Sequence, residues 1–358
     1  MRSRLVVIVL LVACAGVALA QESAVSTPGR LIRIMTRNVY HGVDAEILAI
    51  PAASPGDLPN KVADVYNGYL ARNFPERAAA LALEIYLTRP DLIGLQEAIL
   101  VRTQSPSDPA TPATTVRLDY VQILLDALAA RGLAYKVVTQ SVGFDFELPS
   151  ALGFDVRHTD REVILARADL KTAELALSNP LAGSFAVNCG IPTRFGPTIP
   201  IRRGWVSVDA MVRDRRFRFI STHLDGDCLP VTSAIQQAQA AELLAGPGAT
   251  DLPIVVVGDF NSPADGTGVT YNKLTAAPSG LADAWTLSGL GSGLTCCQAD
   301  DLRNVTSSLT TRIDFVLFRG PFTPVIAVTV GDHALSKTRT GMWPSDHAGV
   351  VAGLLLEP

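Results

Sequence analysis

The 358-residue chain is poor in aromatic side chains (6% Phe, Trp and Tyr) and has only five histidines and five cysteines. A core with few aromatics must be packed from Ala, Val, Leu and Ile, which agrees with a hydrophobic content of 48%. Positive charge is not in surplus either. The formal net charge is -4, and since Arg2 and Arg4 fall in an N-terminal leader, the remainder is more acidic still. This excludes bulk electrostatic adhesion to nucleic acid or an anionic membrane, but not a local basic groove or a metal ion that supplies the charge. Past the leader, no run is long and apolar enough to span a bilayer. Neither a Gly-x-Ser-x-Gly elbow nor a Gly-x-x-x-x-Gly-Lys loop occurs, so a serine hydrolase and an NTPase both lack motif support. The cysteines do not have zinc-site spacing.

Residues 1–20 read as a secretory signal: Arg2 and Arg4 form the basic start, Leu5 to Val12 the apolar stretch, and Ala18-Leu19-Ala20 a small-x-small cleavage site before Gln21. Leu11-Val12-Ala13-Cys14 also fits a lipoprotein box that would leave Cys14 lipidated. The apolar residues after Cys14 favour ordinary cleavage, and the expected location is secreted or periplasmic. An oxidising compartment favours pairing of the remaining cysteines. Cys189 and Cys228 flank the open end of an expected hairpin, Trp205–Ala210 with Phe217–Ser221, and are expected to be bridged; two free thiols are the alternative. Cys296 and Cys297 are adjacent, a bridge between them would close a small strained ring, and their state stays open.

Residues 21–30 read as a disordered lead-in, and 31–356 as one domain. Strands are expected at Leu31–Met35, Asp91–Leu95, Tyr135–Gln140, Val163–Ala166, Ile254–Val257, Ile313–Phe318, Val325–Val330 and Ala348–Leu354. Helices are expected at Lys61–Arg72, from Pro75 through Leu87, at Leu118–Ala130, and at Thr232–Leu244 with Thr232 as N-cap. Long irregular loops are expected at 103–115, 178–203 and 286–311.

Short polar stations lie at or behind these strands. The plainest is Gly258-Asp259-Phe260-Asn261, directly after Ile254-Val255-Val256-Val257. The others are Thr36-Arg37-Asn38, Leu95-Gln96-Glu97, Ser221-Thr222-His223-Leu224, Arg312-Ile313-Asp314 and Ser345-Asp346-His347. Each alone arises often by chance. An acid or amide at a strand end can be a turn residue, and a histidine there a satisfied core residue. Six in succession are a different matter.

In this order the set resembles the endonuclease/exonuclease/phosphatase superfamily, over roughly residues 31–356. The resemblance implies an α+β fold of the DNase-I-like kind, a four-layer α/β/β/α sandwich of two mostly antiparallel sheets. It also implies phosphoester cleavage with a divalent cation, Mg²⁺ first and Mn²⁺ or Ca²⁺ as alternatives. The residue types suit that chemistry. Glu97 is a hard carboxylate for Mg²⁺, with Asn38 and Asp346 completing the expected metal group. His347, oriented by Asp314, is the expected general base. His223 and Asn261 would donate to phosphate oxygens, and Asp259 would orient water or protonate the leaving group. Arg161, or Asp160 before it, and Trp343 are the expected substrate contacts, with a salt-bridged strand edge and a packing anchor as their respective alternatives. The Arg213–Arg218 cluster reads as a solvated hairpin turn. The leading function is a secreted, monomeric nuclease acting on nucleic acid. A sphingomyelinase-like phospholipid phosphodiesterase and a non-catalytic binding module are the rivals. Substrate choice is expected to lie in loops 98–117, 178–203 and 286–311.

Overall fold

A computed structural model describes residues 31–43, 57–191, 199–226, 228 and 231–357. The expected leader, Cys14 and the lead-in lie outside these residues. The first sheet contains β1 (Leu31–Asn38), β2 (Leu92–Gln96), β3 (Leu100–Gln104), β4 (Thr115–Asp119), β5 (Tyr135–Pro149) and β6 (Asp155–Arg167). The second contains β7 (Ala176–Ser184), β10 (Gly204–Val212), β11 (Arg215–His223), β12 (Ile254–Asp259), β13 (Ala282–Asp283) and β14 (Asp314–Arg319). Between β7 and β10, β8 (Cys189–Ile191) and β9 (Ile199–Ile201) form a small ribbon. The chain then returns to the first sheet as β15 (Phe322–Val330) and β16 (Gly349–Leu356). The first sheet is ordered β15-β16-β1-β2-β6-β3-β4, with β5 also on β6, and the second β13-β14-β12-β11-β10-β7.

Pairing is antiparallel except for β1 with β2 and β11 with β12. These two exceptions position the site. Parallel neighbours end at the same edge, so each pair delivers two strand ends side by side.

Three apolar layers follow from the alternation of side chains along the strands. Ile32, Ile34, Leu92, Ile164, Val255, Val257 and Val316 fill the space between the sheets. On the outer face of the first sheet, Met35, Ile93, Val163 and Leu165 pack against α1 (Asp57–Ala71), α2 (Phe74–Thr88) and α3 (Tyr120–Ala129). In α2 the buried Phe74, Ala78, Leu81, Ala82 and Ile85 recur at helical spacing and form one stripe. On the other side, Ile220, Val256 and Leu317 meet α4 (Thr232–Ala245) and α5 (Val269–Thr275), and α6 (Ala284–Ser288) follows β13. The result is the four-layer α/β/β/α sandwich, α+β, with the apolar residues of both sheets facing one another. The sheets approach closely at Gly94, where a Cβ would lie 2.5 Å from Ser221 Oγ and 2.6 Å from Val257 Cγ2.

Several boundaries differ from expectation for local reasons. The third helix starts at Tyr120 and not at Leu118, because the Asp119 carboxylate caps it, accepting from the Val121 and Gln122 amides at 3.1 and 3.3 Å. Residues 115–119 are strand β4 instead. Thr232 is not an N-cap: Val231 occupies that position, with no side-chain bond. The stretches 103–115 and 178–203 are not wholly irregular, since they contribute to β3, β4, β7, β8 and β9. The hairpin β10–β11 turns at Arg213-Asp214, both with positive φ.

Cys189 and Cys228 are bonded, with Cα atoms 5.7 Å apart and a sequence separation of 39. Closing a loop of this length stabilises by roughly 2–4 kcal/mol. Cys189→Ser is therefore expected to lower the melting temperature under oxidising conditions and to leave it unchanged in reductant, where the wild-type bridge is also open. Calorimetry of both proteins with and without dithiothreitol checks this.

Candidate active site

The polar stations are the last members of same-face rows whose earlier members fill the core between the sheets. On β1 the row is Ile32, Ile34, Thr36, Asn38, and on β2 it is Leu92, Gly94, Gln96. On β11 it is Phe217, Phe219, Ser221, His223, on β12 Val255, Val257, Asp259, and on β14, read backwards, Phe318, Val316, Asp314. Register then aligns the row ends. Asn38 pairs with Gln96 in one sheet, while His223 pairs with Asp259 and Asp259 with Asp314 in the other. Ser345-Asp346-His347 enters the same edge immediately before β16.

The two sheets are joined here by polar contacts. Gln96 Nε2 donates to Ser221 Oγ at 3.0 Å. Asn38 Nδ2 donates to Glu97 Oε1 at 2.8 Å and to Asp259 Oδ2 at 3.1 Å. Asn38 Oδ1 accepts the Tyr40 amide at 2.9 Å. In this arrangement the Asn38 amide nitrogen meets two carboxylates, and its oxygen is taken by the Tyr40 amide.

Backbone geometry marks the same stations. Tyr40, Glu97 and Asn261 have φ of 58°, 60° and 48°, values that cost a non-glycine residue about 1 kcal/mol or more and persist where the surroundings enforce them. Gly258 has φ 154°, and a Cβ there would run into the Thr222 carbonyl. Only glycine lets β12 pass β11 and present Asp259.

Two histidines flank Asp259. His347 Nδ1 lies 2.8 Å from Asp314 Oδ2, and its Nε2 lies 3.6 Å from Asp259 Oδ2. On the other side, His223 Nε2 is 3.5 Å from the same oxygen. All four side chains are buried. Burial and the neighbouring Asp314 carboxylate push Asp259 up to about 7. Burial, with Glu97 adding to it, pushes Asp346 up to about 6 against the pull of His347. Burial alone would discharge His347, but Asp314, Asp346 and Asp259 outweigh it and hold its proton well above the usual histidine range. His223 goes the other way: burial and then the Arg203 guanidinium push it well below.

This excess of desolvated carboxylate fits a hard cation. Asp314 Oδ1 is buried and has no hydrogen-bond partner, and Asp259, Asp314 and His347 bring ligand atoms within 4.8 Å of one another. The other such groups among the described residues are Asp160, Glu162 and His223, and Cys296, Cys297 and His347. Glu97 and Asp346 belong to none of these, so a cation on either would keep several waters, as Mg²⁺ does.

Two expected contacts are not brought to the site. Arg161 lies on the outer face of β6. Its guanidinium donates to the Ala98 and Ile99 carbonyls at 2.8 and 3.2 Å and pairs with Asp119 at 2.5 Å, fastening the segment behind Glu97. Trp343 is fully buried with Tyr40, Leu302 and Met342 and donates Nε1–H to the Asn304 carbonyl at 3.0 Å, so it anchors its loop and presents no face to a base.

Sequence reasoning weighed Asp160 beside Arg161 and missed Glu162, His41 and Arg77. Asp160 and Glu162 continue the inner row of Ala166 and Ile164, next to His223. His41 follows Asn38 closely. Its amide donates to Glu97 Oε2 at 2.8 Å, its Nε2 lies 3.1 Å from Asp160, and these two carboxylates, against burial, push it up to about 9. Behind the site, Arg77 donates to the carbonyls of Val39, Tyr40 and Pro344 at 2.7 to 3.0 Å, and Arg37 pairs with Glu84 at 3.0 Å and donates to the His347 carbonyl. The signal for His41 was its place three residues after Asn38. Nothing local marked Arg77.

A model of the Endonuclease/Exonuclease/phosphatase family matches residues 38–347. The chain belongs to this family. No curated protein matches the sequence. Among solved structures, an endonuclease/exonuclease/phosphatase family protein from Bacteroides thetaiotaomicron superposes with a TM-score of 0.57 at 15% identity, covering 93% of this chain and 100% of that one. A mannosyl-6-phosphatase from the same species gives 0.54 at 15% identity, over 90% and 99%. The D. rerio TDP2 in complex with a single-strand DNA product gives 0.52 at 16%, over 90% and 98%. At these identities the likeness is one of fold, the phosphoesterase fold whose members are generally metal-dependent hydrolases.

The acid cluster has a consequence for metal-free protein. The folded state keeps a proton on Asp259 that an unfolded aspartate releases near pH 4. Stability in EDTA is therefore expected to fall as pH rises from about 4 to about 7. Asp259→Asn should flatten that part of the profile, as thermal melts across the range will show. An unchanged profile would contradict the buried acid pair.

Proposed function

We propose that this chain is a divalent-metal-dependent phosphoester hydrolase, with nucleic-acid phosphodiesters as the leading substrate class and export as the purpose of its leader. The observation that carries the reading is the convergence of Glu97, Asp259 and the Asp314–His347 pair at one sheet edge, with Asn38 bridging two of them. Glu97 and Asp346 would hold the cation, with Asp259 beside them. When bound, a cation such as Mg²⁺ would neutralise charge gathering on the phosphoryl oxygens.

The chain's own residues supply the rest. Asp314 fixes the His347 ring through Nδ1, which leaves Nε2 facing Asp259. Between them, His347 and Asp259 are placed to take a proton from an attacking water and return it to the leaving oxygen. Asn261, whose main-chain N–H donates to Asp259 Oδ1 at 2.9 Å, lies with its side chain beside His223 on the side opposite His347. These two residues are the proposed donors to phosphate. Retention of this whole set speaks against a binding module that has lost catalysis.

A second reading is favoured by one observation. Arg161 and Trp343 are engaged in packing, and the arginine-rich hairpin tip lies at the far end of β11 from His223, about 25 Å along the strand. Among the described residues that leaves little built surface for a polymer, which supports a compact phosphoester such as a sugar phosphate. Hydrolysis of plasmid DNA, RNA, sphingomyelin and mannose 6-phosphate, each with Mg²⁺ and with EDTA, separates the possibilities. Metal-dependent cleavage of nucleic acid alone supports the nuclease. Release of phosphate from the sugar or of phosphocholine from the lipid moves the protein to that branch. No turnover on any substrate would argue for the binding module.

On whichever substrate is cut, Glu97→Gln is expected to remove most of the metal-dependent rate while the fold survives. His347→Ala is expected to lower kcat by about 10²- to 10⁴-fold. Steady-state kinetics with a parallel melting curve checks both; a mild effect at His347 would place the proton transfer on another group.

A further inference from the structure

The two imidazoles beside Asp259 are backed by opposite charges. Behind His347 Nδ1 stands the Asp314 carboxylate at 2.8 Å. Behind His223 Nδ1 stands the guanidinium of Arg203, with Nη1 at 3.0 Å. Arg203 sits just before β10, is buried, and belongs to none of the six stations. Its Nη1 also lies 3.5 Å from Asp160 Oδ2, and Asp160 in turn meets His41, whose amide is bound to Glu97. The guanidinium is thus tied into the network that holds the candidate metal carboxylate.

A guanidinium has only N–H donors and does not lose its protons in a protein. The ring nitrogen that faces it must therefore be an acceptor, and the proton of the imidazole belongs on the other nitrogen. That nitrogen, Nε2, faces Asp259 Oδ2 at 3.5 Å and Asn261 Nδ2 at 3.1 Å. The Asn261 amide also offers a donor to Nε2, and the two demands compete for one proton position. Asn261 holds a second partner, the Leu224 carbonyl at 3.0 Å, and keeps it when it yields Nε2. The guanidinium has no lone pair with which to yield. Glu162 Oε1, 3.8 Å from Nδ1, is beyond hydrogen-bond reach and does not claim the proton.

We propose that Arg203 is a positioning residue that fixes the His223 proton on Nε2, so that this histidine meets a phosphate oxygen as a donor. The role rests on the phosphoesterase reading, whereas the tautomer does not, and the two are tested apart. With ¹⁵N-histidine-labelled protein, the His223 resonances, assigned by their loss in His223→Asn, report which ring nitrogen carries the proton. The expected result is Nε2–H in the wild type and a shift toward Nδ1–H in Arg203→Met, where the Asn261 donor is left unopposed. Nδ1–H in the wild type, which needs no variant to fold, overturns the proposal, as does an unchanged tautomer in Arg203→Met.

The kinetic arm uses the substrate identified by the panel above. Arg203→Met should lower kcat about tenfold or more with little change in KM, and Arg203→Lys, which can still donate, should recover a good part of the loss. An unaltered kcat with a shifted tautomer would overturn the catalytic consequence. If no phosphoester is turned over, the phosphoesterase reading fails while the resonances still decide the tautomer.

Discussion

One amide holds this site together. Asn38 Nδ2 donates at once to Glu97, carried by its own sheet, and to Asp259, carried by the other. Two sheets packed through aliphatic side chains can slide, because apolar contact has no direction. A buried amide between two carboxylates does not allow that, since a small displacement leaves a desolvated charge without its donor. The contact sets the spacing between the acid of the first sheet and the acid of the second; the positions of His223 and Asp314 follow from strand register relative to Asp259, and His347 is held by its bond to Asp314.

The surrounding electrostatics are consistent with that constraint. Carboxylates are gathered at higher density than a dry interior tolerates, and the protein answers with cations at fixed places. Arg203 stands between Asp160 and His223, and His41 between Asp160 and Glu97. Farther back, Arg77 donates to four main-chain carbonyls and Arg37 joins Glu84 to the loop of His347. Buried arginines bound to main-chain oxygens lose little of their hydrogen bonding on leaving water, and here they fasten the two site loops to the helix behind them. Opposite backing charges give the two flanking histidines opposite tendencies from the same residue type, which is how one cleft obtains both a proton holder and a neutral ring.

Much of this was legible in the chain. Each station directly follows, or begins, an apolar strand, and the local pattern of strand then Gly-Asp-x-Asn or Ser-Asp-His is short-range information. The failures were of one physical kind. In β6 the run Val163-Ile164-Leu165-Ala166 is apolar at every position because the strand is buried on both faces. With no alternation there is no sign of which parity faces the second sheet. Asp160 and Arg161 were therefore equivalent candidates, and the structure turns Asp160 inward and Arg161 outward. Trp343 failed similarly: an aromatic next to a catalytic loop can face out or in, and its burial depends on Leu302 and Tyr40, far away in sequence.

The sequence by itself determined the strands that end in polar stations, the order of those stations and the chemical types gathered at one sheet edge, because these depend on residues within a few positions of one another. It also placed Cys189 and Cys228 at the two ends of one hairpin. The tertiary structure decided which face each doubly buried strand turned inward, which arginines became fastenings, and which one stood behind His223. Those outcomes depend on the packing of one sheet against another, and a residue's parity acquires meaning only when the partner surface is present.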